Sequence, residues 1–247
     1  MSLVDMKSKG YQRFYTRLDY FRLDREVADI FVKNKELLAG EDKIFSGVTA
    51  TGHPLLNARE NTEYSRTIVV KHLRNSIYVS FIKEIYEEVT EYIRYILRQA
   101  ALNGADTNRL LGEHNVSMKA NDILSKATKE EIVQLITDQM FQQLENERST
   151  MTLIQKIKNK LGLTIEQSTI DSALPYLECR HVFVHSDGRP NADFLAKYPF
   201  IRTDAKGRIN LTAEFLIKAF NAVNRLLLNI DKEMIRLHYI PMAEQIH

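Results

Sequence analysis

The chain has 247 residues, 44% of them apolar and 27% charged, and a formal net charge of +2. That length holds one large domain or two small ones, and the apolar share is enough for a packed core. The near-balanced charge excludes a protein that grips nucleic acid by bulk attraction, so such a partner would need a local basic patch. The single cysteine, Cys179, excludes an internal disulfide framework and fits a reducing compartment. Residues 1–10 lack an apolar signal core and no run approaches eighteen apolar residues, so the expectation is a cytoplasmic chain without membrane partners. Five prolines and nine glycines point to long regular elements.

The first forty residues read as helix, with Tyr20, Leu23, Val27, Ile30 and Phe31 at three- and four-residue steps. Leu37-Leu38-Ala39-Gly40 reads as its end. From Gly40 to Asn61 the period is lost and Gly47, Gly52, Pro54 and Asn57 mark a connector. Residues 1–62 are therefore expected to form a peripheral helix and connector, and residues 63–247 a helical bundle.

The next helix is expected from near Arg66 to a left-handed cap at Asn103-Gly104, with Ile82, Ile85, Val89, Tyr92 and Ile96 as its buried seam. Residues 105–128 are polar and irregular. Thr128 and Glu131 have capping-box spacing and open a helix containing Ile132, Ile136, Met140 and Leu144. Ser149 or Thr150 caps a shorter helix through Leu161, closed by Gly162. Its outward residues include Lys156 and Lys160, four apart and so on one face.

Ser172 is the expected N-cap of the following helix, with Pro175 in its first turn. That helix ends near His185 and breaks at Asp187-Gly188, with Pro190 preventing its resumption. Residues 200–211 are compatible with a small hairpin or a loop. The last helix carries Leu216, Phe220, Val223, Leu227, Ile230, Met234 and Leu237 at steps of four and three. Seams near a 3.5 period imply shallow crossings, as in an antiparallel bundle. The fold class is all-α.

The chemistry concentrates in Leu177 to Asn191. Arg180 supplies a guanidinium and His185 an imidazole able to pass a proton, a pair suited to moving a proton while negative charge builds on a phosphorus-bound oxygen. Spacing alone is weak, because Arg66 and His72, and Arg109 and His114, resemble this pair. Only Arg180 and His185 combine enclosed apolar residues with His181 beside the arginine and a helix end just after the histidine. Residues five apart project about 140° from each other on an ideal helix, whereas His181 and His185 share a face.

Arg180, His181 and His185, followed by Ser186-Asp187-Gly188-Arg189-Pro190-Asn191, closely resemble the core motif and tail of the HEPN family, small all-α domains found in many toxin and antiviral ribonucleases. The likeness also takes in the long helix around Ser80 to Leu97 and the final helix, covering most of residues 63–240. It implies metal-independent RNA cleavage at a homodimer cleft, no cofactor, and a protein antitoxin as a further partner. Arg180 and His185 would be catalytic and His181 supporting, with 2′,3′-cyclic phosphate ends as product. Lys156, Lys160 and Arg189 are the candidate RNA contacts.

Other readings stay open. His185 is also placed to interact with the helix dipole, and His181 with His185 has the spacing of two metal ligands but lacks an evident third. Cys179 reads as buried packing rather than a nucleophile, and Lys156 and Lys160 also read as a solvated face. A catalytically idle HEPN module and a purely structural bundle are the competing functions.

Overall fold

The computed structural model describes residues 6–34, 48–60, 62–112, 117–145 and 149–246. Ten helices occupy these residues: α1 (Lys9–Lys33), α2 (Pro54–Asn57), α3 (Glu63–Leu102), α4 (Thr107–Leu111), α5 (Ala120–Leu124), α6 (Lys129–Glu145), α7 (Thr150–Leu161), α8 (Gln167–His185), α9 (Ala192–Lys197) and α10 (Ala213–Arg236). Two-residue strands, β1 (Lys7–Ser8) and β2 (Gln245–Ile246), pair antiparallel. The fold is an all-α bundle. Leu37–Gly40, Gly47 and His114 lie outside the described residues.

Local chemistry explains where the helices begin and stop. Thr62, Thr212 and Ser149 each accept a backbone N–H from three residues on, so α3, α10 and α7 start on satisfied caps. Thr128 accepts the Glu131 N–H, while the Glu131 carboxylate reaches back to the Ala127 N–H. Gly162 closes α7 at φ +66°, and Gly104 follows the Asn103 cap of α3 at φ +89°. The irregular stretch after α3 contains the short helices α4 and α5, too brief to show a period.

Helix α3 is the spine, 40 residues long and thus about 60 Å. Its seam of Ile82, Ile85, Val89, Tyr92 and Ile96 is buried, as are Leu216, Phe220, Val223, Leu227, Ile230 and Met234 of α10. Each fully buried aliphatic side chain stabilises the bundle by about 1.5–3 kcal/mol. Contacts from Arg17 to Glu88, Phe21 to Phe81 and Asp29 to Tyr78 make α1 antiparallel to α3. Contacts from Ser8 to Asp231, Tyr11 to Asn224 and Tyr15 to Phe220 make it antiparallel to α10 too.

The first helix corrects two expectations. It is not peripheral, because Tyr11, Phe14 and Leu18 lie in the same core as α3 and α10. Its buried face is also not the one the spacing selects: Tyr20, Leu23, Val27 and Ile30 are 51–67% exposed. Two apolar stripes compete on this helix, and packing chooses the one bearing its first-half aromatics. Gly10 makes that approach possible, since a Cβ there would stand 2.2 Å from the Tyr95 ring.

A buried polar knot joins three of these elements. The Asp231 carboxylate on α10 accepts the Ser8 backbone N–H at 2.8 Å, the Ser8 hydroxyl at 2.5 Å and the Tyr92 hydroxyl at 2.8 Å. Ser8 in turn accepts the Tyr11 N–H as the cap of α1. Nothing in the hydrophobic pattern foretells this knot.

Candidate functional site

Helix α8 carries the motif and starts earlier than expected, at Gln167 after the Glu166 cap. Ser172 is inside the helix and donates its hydroxyl to the Ser168 carbonyl instead of capping. Pro175 is likewise internal and leaves the Asp171 carbonyl without its i+4 donor. The helix continues through it because Ile170, Ala173, Leu174 and Leu177 bury one face against the bundle. Tyr176 packs edge-on against Phe215 of α10, with ring centres 5.2 Å apart.

The C-terminal break falls where the turn residues place it. His185 ends the helix, Asp187 and Gly188 take φ of 51° and 76°, and the Gly188 N–H closes back on the Val182 carbonyl at 3.1 Å. Residues 202–210 form a small hairpin bridged at Thr203 and Ile209. It braces the tail: the Ile209 N–H donates to the Gly188 carbonyl at 2.8 Å, and Arg208 pairs with Asp187.

Arg180 is turned toward α3. Its Nη2 lies 3.3 Å from Glu87 Oε1, its guanidinium sits 5.0 Å from the centre of the Tyr86 ring, and its Nε is buried without a hydrogen-bond partner. The His181 and His185 rings are in contact, with centres 4.5 Å apart. Burial pushes the Cys179 thiol up, so it is packing and not a nucleophile.

Beside the motif lies a cleft of about 690 Å³, within the range of small-ligand sites. Arg180, His181 and Arg189 line it; His185 does not, and reaches it only through its contact with His181. Lys197 lines it too, held at 3.0 and 3.1 Å on the Glu178 carboxylate, which also accepts the Tyr198 hydroxyl at 2.7 Å. Tyr86 of α3, Glu145 of α6, and Ser149 and Thr150 at the start of α7 also line it. Sequence reading missed Tyr86, Glu87, Glu145, Glu178 and Lys197. Glu87 meets Arg180 across 93 residues, a pairing with no local signal.

Lys156 and Lys160 are not among the residues lining the cleft. Lys160 corrects the sequence reading, since it is only 7% exposed and its ammonium donates to the carbonyls of Leu110 and Leu111 at 2.7 and 2.9 Å. It satisfies the end of α4 from below and has no face for RNA. Lys160→Met should therefore cost about 2–3 kcal/mol of stability by leaving two carbonyls without a donor, read as a lower melting temperature. An unchanged melting temperature would return Lys160 to the candidate RNA contacts.

Among the described residues no three His, Cys, Asp or Glu side chains are grouped as a metal site, and no helix is long and apolar enough to cross a membrane. Comparison of the chain with protein-family models, curated proteins and solved structures finds no match.

Proposed function

We propose that this chain is a HEPN-type endoribonuclease that cleaves RNA without a metal ion, in the manner of toxin and defence ribonucleases. The observation that carries the reading is the placement of one guanidinium and two touching imidazoles at the end of one helix, beside a cleft with two further cations. RNA supplies its own nucleophile in the 2′-hydroxyl. His185 takes that proton, the 2′-oxygen bonds to phosphorus, and the bond to the 5′-oxygen breaks as that oxygen takes a proton from water. Arg180 offsets the charge of the crowded phosphorane, and His181 orients His185. Arg189 and Lys197 hold flanking phosphates.

Two copies meeting at the exposed ends of α8 would place a second motif across the phosphate, with Val184, 43% exposed, in the contact. A neutralising protein partner belongs to the same reading.

A second reading, a catalytically idle HEPN module that binds RNA, a nucleotide or a protein, is favoured by two features. Arg180 already has a carboxylate partner in Glu87, and His185 stands off the cleft wall. One experiment separates the two. A mixed RNA pool incubated with the protein in EDTA should yield cyclic-phosphate and 5′-hydroxyl ends, and the active species should sediment as a dimer. RNA bound but left intact would establish the idle module, and 5′-phosphate ends would remove the mechanism.

A further inference from the structure

The cleft holds both cations and acceptors: Arg180, His181, Arg189 and Lys197 line it together with the Glu145 and Glu178 carboxylates, the Ser149 hydroxyl and the Tyr86 ring. Glu178 is already taken by Lys197 and the Tyr198 hydroxyl, which leaves Glu145 as the carboxylate able to receive a ligand. A nucleotide needs both kinds of group, a cation for its phosphate and hydrogen-bonding partners for its base. An unpaired carboxylate in such a cleft would repel RNA. Glu145 is instead offset by Arg94 of α3, whose Nη2 lies 3.5 Å from Oε2 and whose guanidinium rests 4.6 Å from the Phe141 ring centre. The pair fixes the carboxylate in place while leaving it 39% exposed. Tyr86 lies against the Arg180 guanidinium, 5.0 Å from its ring centre, and its hydroxyl is pushed up by burial, with Arg180 lowering it and Glu145 raising it.

We propose that Glu145 is a base-reading residue and that the cleft selects guanine in the nucleotide bound beside the scissile phosphate. The inference rests on the ribonuclease reading for its biological use, but its chemistry is independent of cleavage. A carboxylate is an acceptor with two oxygens. Guanine alone among the four bases presents two adjacent donors, N1–H and the N2 amino group, on its Watson–Crick edge. Adenine and cytosine present one amino group beside a ring nitrogen that repels the second oxygen. Uracil presents one N–H between two carbonyls. The Ser149 hydroxyl, whose oxygen accepts the Thr152 N–H, keeps its own proton to donate to the guanine O6.

The test is calorimetric titration of the full chain with the 3′-monophosphates of guanosine, adenosine, cytidine and uridine, for wild type and Glu145→Gln. The wild type should prefer the guanosine nucleotide by about ten- to a hundredfold, the discrimination of a bidentate contact. Glu145→Gln places an amide donor against a base donor and should lose that preference while keeping its affinity for the other three. Its helical far-UV signal should match the wild type, because Glu145 is a surface residue at the end of α6. Equal affinity for all four nucleotides, no binding of any, or a guanosine preference that survives Glu145→Gln overturns the inference. The first and third of these leave the ribonuclease reading standing. A preference lost in Glu145→Gln supports the inference even if the protein cleaves no RNA.

Discussion

His185→Ala and Arg180→Ala should each lower RNA cleavage by about a hundredfold or more, the range for removing a proton-transfer group or a charge stabiliser, while the helical far-UV signal is retained. Folding should survive both changes. His185 is exposed at the last turn of α8, where the chain break depends on the Gly188 closure and not on the imidazole. Arg180 makes one ion pair with Glu87, itself half exposed, and such pairs contribute about 0–1 kcal/mol. His181→Ala should reduce the rate less, since the proposed mechanism gives it the orienting role and gives the proton to His185. Single-turnover cleavage of a labelled RNA reads all three. Full activity in His185→Ala would remove the mechanism, and a greater loss in His181→Ala would transfer the proton-handling role to the imidazole that lines the cleft.

The α3 and α10 seams were legible because α10, and α3 from Tyr78 onward, bury one face turn after turn, so a 3.5-residue step has a single solution there. On α1 the same rule selected the wrong stripe. Tyr20, Leu23, Val27 and Ile30 satisfy the helical period as well as Tyr11, Phe14 and Leu18, and only the packing partners decide between them. The start of α8 was misplaced because Pro175 and Ser172 obey first-turn preferences, which tertiary burial of Ile170 and Ala173 overrides. At the candidate site, Arg180, His181 and Arg189 could be placed together because they lie on one helix and its tail. Other lining residues come from α3, α6, α7 and α9, and they carry no mark of their destination. Lys160 was misread for a related reason: a lysine at helical spacing says nothing about the orphan carbonyls that α4 brings beneath it.

Replacing Asp231 by alanine should lower stability by about 4 kcal/mol, since it strands the Ser8 N–H, the Ser8 hydroxyl and the Tyr92 hydroxyl in the core. For a chain of this size that is a fall of about 10 °C in melting temperature. The pH dependence distinguishes the carboxylate from its shape. Burial raises the Asp231 carboxyl above the ordinary aspartate range, and the bonds from Ser8 and Tyr92 only partly oppose it. The folded state therefore binds the proton more tightly than the unfolded chain, so this group's contribution falls as pH rises from about 4 toward the folded value. Glu233 acts with the opposite sign, its carboxyl held low chiefly by the Arg236 side chain, which makes the stability of one protein alone a poor readout. The difference between wild type and Asp231→Asn cancels the shared groups. That difference, measured by urea unfolding, should shift in favour of the asparagine variant as pH rises through the window. A difference independent of pH would mean that the buried carboxyl titrates alike in the folded and unfolded chain, and that the knot contributes through shape and hydrogen bonding alone.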